Sequence, residues 1–130
     1  MKVIVDTCVW SLALRRNSPD RKIEAALASL IADSRAVLIG PIRQELLSGV
    51  ANSSQFEVLK EKLAFFEDVS LFPAHFEKAA EFCNVCRTHG IQGANTDFLI
   101  CAVSCLEDMQ IFTKDKDFEL YKRHLPIQLF

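Results

Sequence analysis

No stretch of this chain approaches the roughly 18 uninterrupted apolar residues that a membrane span needs, which argues against a membrane-crossing helix. A signal peptide is missing too: Asp6 interrupts the first apolar run and no small-residue cleavage site follows it. Met1 is therefore expected to be the native start and the compartment to be cytosolic. There is no internal repeat, low-complexity tract or linker. No Gly-rich fingerprint follows the first apolar run, which disfavours a dinucleotide-binding fold. Positive charge is not in excess: 15 Lys and Arg stand against 17 Asp and Glu, a net charge of −2. No global basic field advertises a nucleic-acid binder, although a local basic rim would suffice. Five cysteines, an odd number, fit a reducing compartment better than a disulfide framework. His75, His89 and His124 are scattered without evident partners, and no chemistry is assigned to them.

What is present is enough apolar material for one core. Half of the 130 residues are hydrophobic and a quarter are charged, which suits one domain spanning 1–130. Residues 2–5 read as a short buried strand and 7–14 as a helix. Ser18 and Pro19 read as N-cap and first position of a second helix, with Ile23, Ala26, Leu27, Leu30 and Ile31 as its stripe. Residues 36–39 form the next strand. After Gly40-Pro41 comes a helix with Ile42, Leu46 and Val50 on one face. Another, capped at Asn52, carries Phe56, Leu59, Leu63 and Phe66. Residues 69–72 read as a third strand. Pro73 opens a helix with Phe76, Ala79, Ala80, Cys83 and Cys86 inward, closed by Gly90. The helix from Asp97 is apolar almost all round, hence central. A strand at 110–113, a short helix at 117–124 and a possible edge strand at 126–130 complete the chain. Alternating strands and helices imply an α/β fold with a parallel sheet.

Four acids carry the functional reading: Asp6, Glu45, Asp97 and Asp115. Sites in open α/β sheets form beyond the carboxyl ends of the strands. Asp6 and Asp115 directly follow strands, Glu45 lies a turn into the helix after one, and Asp97 opens a helix whose dipole favours an anion. The topology thus steers all four to one rim. Two like charges about 4 Å apart repel by about 4 kcal/mol at an effective dielectric of ~20. Such a cluster must raise its pKa values or hold a cation. Oxygen donors alone suit octahedral Mg²⁺ or Mn²⁺, and an ion so held supports hydrolysis of a phosphodiester. The bland reading is that each acid is a helix cap, a turn residue or a solvated side chain.

The segments around these acids, Val3-Ile4-Val5-Asp6-Thr7, Arg43-Gln44-Glu45-Leu46-Leu47, Thr96-Asp97-Phe98-Leu99-Ile100-Cys101-Ala102 and Thr113-Lys114-Asp115-Lys116-Asp117-Phe118, resemble a PIN domain. More narrowly, they resemble a VapC-type toxin. Order, spacing and length agree over the whole chain. The resemblance implies a three-layer α/β/α sandwich that cuts RNA with Mg²⁺ or Mn²⁺. It makes Asp6 and Asp97 the principal metal ligands. Glu45 would complete the nest or handle a water, and Asp115 would be the fourth acid with Asp117 as its rival. Thr7 and Thr113 would supply hydroxyls near the ion. It also implies a homodimer and an antitoxin partner whose tail lies in an apolar groove. Trp10, Leu14, Phe56 and Phe65 are candidates for groove or dimer surface, with burial in the core as the alternative. Asn95 either caps its helix or touches substrate. Arg15, Arg16, Arg43, Lys114 and Lys116 are candidates to hold phosphates, or else solvated surface. Two other readings keep the fold: a nuclease of RNA maturation or DNA processing without an antitoxin, and a non-catalytic binding module.

Cys83, Cys86, Cys101 and Cys105 match a four-thiolate zinc pattern on paper, but all fall on apolar helical stripes where free Cys packs as a small hydrophobe. Cys8 stands two residues after Asp6, where a phosphoaspartyl phosphatase needs a second Asp; burial or a place beside the site is expected instead.

Overall fold

The computed structural model describes residues 1–14 and 17–130. Four parallel strands, β1 (Val3–Val5), β2 (Ala36–Val37), β3 (Gln110–Phe112) and β4 (Gln128–Leu129), form one sheet in the order β2-β1-β3-β4. Val3, Ile4 and Val5 alternate between the two faces of the sheet, and all three are fully buried. Helices must therefore cover both sides, which is why the strands read as continuous apolar runs rather than as alternating ones.

The helices are α1 (Thr7–Ala13), α2 (Arg21–Ala32), α3 (Gly40–Ser48), α4 (Ser53–Leu63), α5 (Pro73–Thr88), α6 (Asn95–Glu107) and α7 (Asp117–Lys122). On one side α1 packs on α2 and α3; elsewhere α5 packs on α6, and α6 on β3. The result is the expected α/β sandwich. No helix among the described residues is long and apolar enough to cross a membrane. Residues Phe98 to Ser104 of α6 are buried without a break. Burying each large side chain in that run contributes about 1.5–3 kcal/mol, a large share of the roughly 5–15 kcal/mol that holds a domain together. The position of α6, and of whatever its first turn carries, is thus set by the core.

Several expectations need correction. The cap of α2 is Asp20, which accepts the N–H groups of Lys22 and Ile23 at 3.1 Å each; Ser18 instead takes a left-handed turn. Ile31 is exposed. Residues 69–72 are not a strand: pairing there stops at one bridge, Leu38 to Asp68, because the chain turns away into the Pro73 helix. On α5 Cys86 is buried and Ala79 and Cys83 pack half-buried against the core as expected, but Phe76 and Ala80 are exposed while His75 and Phe82 are buried. The inward stripe is rotated by about one residue. Ala94, not Asn95, occupies the N-cap of α6, and no side chain caps it. Asn52 caps α4 as expected, accepting Gln55 N–H at 3.0 Å. Gly90 follows α5 at a left-handed φ of 73°, a conformation glycine adopts without a Cβ penalty.

Candidate active site

Asp6 is placed by the sheet. It ends β1, its N–H donates to Phe112 C=O of β3 at 2.9 Å, and its side chain caps α1 by accepting Thr7 N–H at 2.8 Å. The other carboxyl oxygen accepts the Thr113 hydroxyl at 2.8 Å and the Cys8 thiol at 3.5 Å. Asp6 is therefore the helix cap of the bland reading, and its carboxylate also meets Thr113 and Cys8. It is buried, and burial holds its pKa above the ordinary 3.8; the Thr113, Thr7 and Cys8 hydrogen bonds oppose that rise, and Asp115 adds to it.

Asp97 lies in the first turn of α6, half-buried. Burial pushes its pKa up to about 6 against the opposing Tyr121 hydrogen bond, and the charges of Asp6, Asp115 and Asp117 push it further. Acids from both ends of the chain thus feel one another, as expected. Glu45 is joined to the group through Thr7, whose hydroxyl donates to Glu45 Oε2 at 2.7 Å. Asp115 is joined through Thr113: its N–H donates to Thr113 Oγ1 at 3.0 Å, and its Oδ1 accepts Asp117 N–H at 2.9 Å. Two threonines therefore tie Asp6 outward, Thr7 to the Glu45 carboxylate and Thr113 to the backbone N–H of Asp115. Asp115 bears on both Asp6 and Asp97, whereas Asp117 bears on Asp97.

The donors are carboxylate oxygens, the set a hard divalent cation takes. Among the described residues, however, no three Asp, Glu, His or Cys side chains are already gathered tightly enough to hold an ion. The donor chemistry and the clustered negative charge suit a cation.

Tyr121 has no place in the reading of the sequence. Its hydroxyl donates to Asp97 Oδ2 at 2.8 Å, and burial followed by Asp97 itself keeps the phenol protonated far above its ordinary range. The signal available was slight: Phe118 and Tyr121 stand three apart on a short helix, which reads simply as a buried face.

Other candidates divide. Arg43 is spent on structure, pairing with Asp68 at 2.7 Å and donating to the carbonyls of Leu63 and Phe66. Lys114 and Lys116 are exposed beside Asp115, and Arg15 and Arg16 lie outside the described residues. Trp10 is buried, donating its indole N–H to Val5 C=O at 3.2 Å, while Phe65 is 90% exposed. Leu14 is exposed and Phe56 half-buried. All five cysteines are free. His75 and His89 do have partners: His75 bonds Glu107, and His89 stacks on His124 with centroids 3.9 Å apart.

A PIN domain model matches residues 3–123, and the chain belongs to the PIN domain family. In structure it is similar to FitAcB from Neisseria gonorrhoeae, with a TM-score of 0.81 and 24% identity over 98% of this chain and 96% of that one. It is also similar to VapBC2 from Rickettsia felis, solved bound to a DNA fragment from its promoter, with a TM-score of 0.79 and 18% identity over 99% and 96%. A toxin–antitoxin complex from Klebsiella pneumoniae follows, at 0.70 and 17% over 90% of each chain. No curated protein matches. At these identities the likeness is one of fold, and the expected resemblance to VapC-type toxins holds at that level.

Proposed function

We propose that this chain is a Mg²⁺- or Mn²⁺-dependent endoribonuclease, the toxin of a type II toxin–antitoxin pair. One observation carries the reading: the charge of Asp6 reaches Asp97, 91 positions away in the sequence, while single threonines tie Asp6 to the Glu45 carboxylate and to the Asp115 backbone. Asp6 and Asp97 would hold the cation, and Asp115, whose charge bears on both, would be the fourth acid ahead of Asp117. When bound, such an ion lowers the pKa of a water and offsets the charge that develops on the phosphate. Glu45, exposed at the rim and held by Thr7 through Oε2, is the group to accept the proton of an attacking water at Oε1. Lys114 and Lys116 would hold RNA phosphates.

A partner surface supports the toxin reading. A groove of about 610 Å³ runs between α1, α3 and α4, lined by Trp10, Leu14, Val58 and Leu59. A second, of about 400 Å³, lies between α1, α2 and α4 and adds Ile31 and Phe65. Together they would take the apolar face of an antitoxin tail, and a homodimer is proposed with it. Incubation of the purified protein with total RNA, with and without EDTA, tests the activity. Cleavage that EDTA leaves untouched, or that survives in both Asp6→Asn and Asp97→Asn, would overturn it.

A further inference from the structure

Tyr121 is the chain's single tyrosine, and its surroundings fix it in place. The side chain is fully buried on α7. Its ring lies against Phe98 at a centroid distance of 5.2 Å and meets Phe118 edge-on at 5.1 Å. The end of the ring rests on Gly93, in the loop leading to α6. A methyl group at Gly93 would overlap the Tyr121 hydroxyl and come within 2.9 Å of Tyr121 Cζ and 3.0 Å of Phe98 Cζ. With rings on two sides and backbone at its tip, the hydroxyl has one outlet, Asp97 Oδ2 at 2.8 Å.

A carboxylate in the first turn of a helix is otherwise free to rotate about a broad, two-fold terminal torsion. A single donor held this firmly selects one orientation. Oδ2 is then engaged, and Oδ1 accepts no hydrogen bond among the described residues. Partners that orient a ligating carboxylate in this way typically account for about 10–100-fold in metal affinity or activity.

We infer that Tyr121 is a positioning residue that sets the Asp97 carboxylate for a divalent cation, with Gly93 as the seat that leaves its hydroxyl room. The inference rests on the proposed metal-dependent function. It also ties α7, which lies beyond all four acids in the sequence, to the site.

Calorimetric titration of Mn²⁺ into the metal-free protein tests it. Tyr121→Phe keeps the ring and removes the donor. It should weaken Mn²⁺ binding by about 10–100-fold while the metal-free protein stays folded, its unfolding midpoint lowered only as the loss of one hydrogen bond dictates, and saturating Mn²⁺ should restore most of kcat. Gly93→Ala should weaken binding in the same direction with the tyrosine still present; if that variant fails to fold, Tyr121→Phe decides alone. A merely structural tyrosine would leave the affinity untouched, so wild-type affinity in Tyr121→Phe overturns the role. Absence of Mn²⁺ binding by the wild-type chain overturns the metal-dependent reading itself, and this inference with it.

Discussion

α6 carries an acid at each end, about 15 Å apart along the axis at 1.5 Å per residue: Asp97 in the first turn and Glu107 as the last residue. Glu107 meets the buried His75, whose Nε2 lies 2.8 Å from Glu107 Oε1 while its Nδ1 accepts Phe72 N–H at 2.9 Å. Since Nδ1 accepts, Nε2 carries the proton and donates. Both ring nitrogens are used, and the acid has one donor and access to solvent. Asp97 also has one donor, Tyr121, but faces three carboxylates rather than a base. Buried polar groups are tolerated when they are satisfied, and the His75 end meets that condition. The Asp97 end leaves no buried polar atom unpartnered either among the described residues; what sets it apart is the carboxylate charge of Asp6, Asp115 and Asp117 bearing on it, the pattern of a candidate functional site.

Substitutions at the two ends should part most widely in activity. Asp97→Asn or Asp6→Asn should reduce metal-dependent RNA cleavage by more than about 100-fold, beyond the usual loss of an orienting partner, while circular dichroism shows a retained fold. His75→Ala should do the reverse: it removes the acceptor of the Phe72 N–H and the donor to Glu107 and leaves a small cavity, costing about 2–4 kcal/mol of stability with cleavage per folded molecule unchanged. Denaturant titration alongside the cleavage assay reads both.

The third contrast is one of sign. The Asp97 pKa rises from 3.8 to about 6 on folding. Between roughly those values the folded chain keeps a proton that the unfolded chain has lost, so stability falls as pH rises through the folded pKa. At pH 7 the metal-free protein carries the whole penalty. Asp97→Asn should therefore stabilise it there, by about 1–2 kcal/mol once solvent screening of a half-buried group is allowed for, and should change little near pH 4. By the same logic Mn²⁺ should raise the unfolding temperature more at pH 7 than at pH 5. The smallest effect belongs to the other end: Glu107→Gln keeps an acceptor for His75 and should destabilise by less than about 1 kcal/mol. A stabilising Glu107→Gln would abolish the distinction between the two ends.

Much of this was open to a reader of the chain alone. Asp6 and Asp97 announce themselves because each adjoins an unbroken apolar run, and a parallel sheet sends strand ends to one rim. The stripe of α5 was legible only in part. His75, Phe82 and Cys86 share one helical face, Phe76, Ala79 and Cys83 the next, and both faces are apolar enough to be buried. Residues 69–72 have strand-like composition, but a strand needs a partner edge, and among the described residues pairing there stops at the Leu38 bridge. Arg43 reads as a rim cation until Asp68 and two carbonyls are found around it.

Local pattern, then, determined which segments become buried strands and helices, and hence where four acids fall relative to their ends, because periodicity and chain continuity act over a few residues. Which acid receives a hydroxyl, which stripe faces inward and which cation is already engaged were decided by contacts between segments distant in the chain. Tyr121 reaching Asp97 past Gly93 is such a contact, and no spacing of residues along the backbone encodes it.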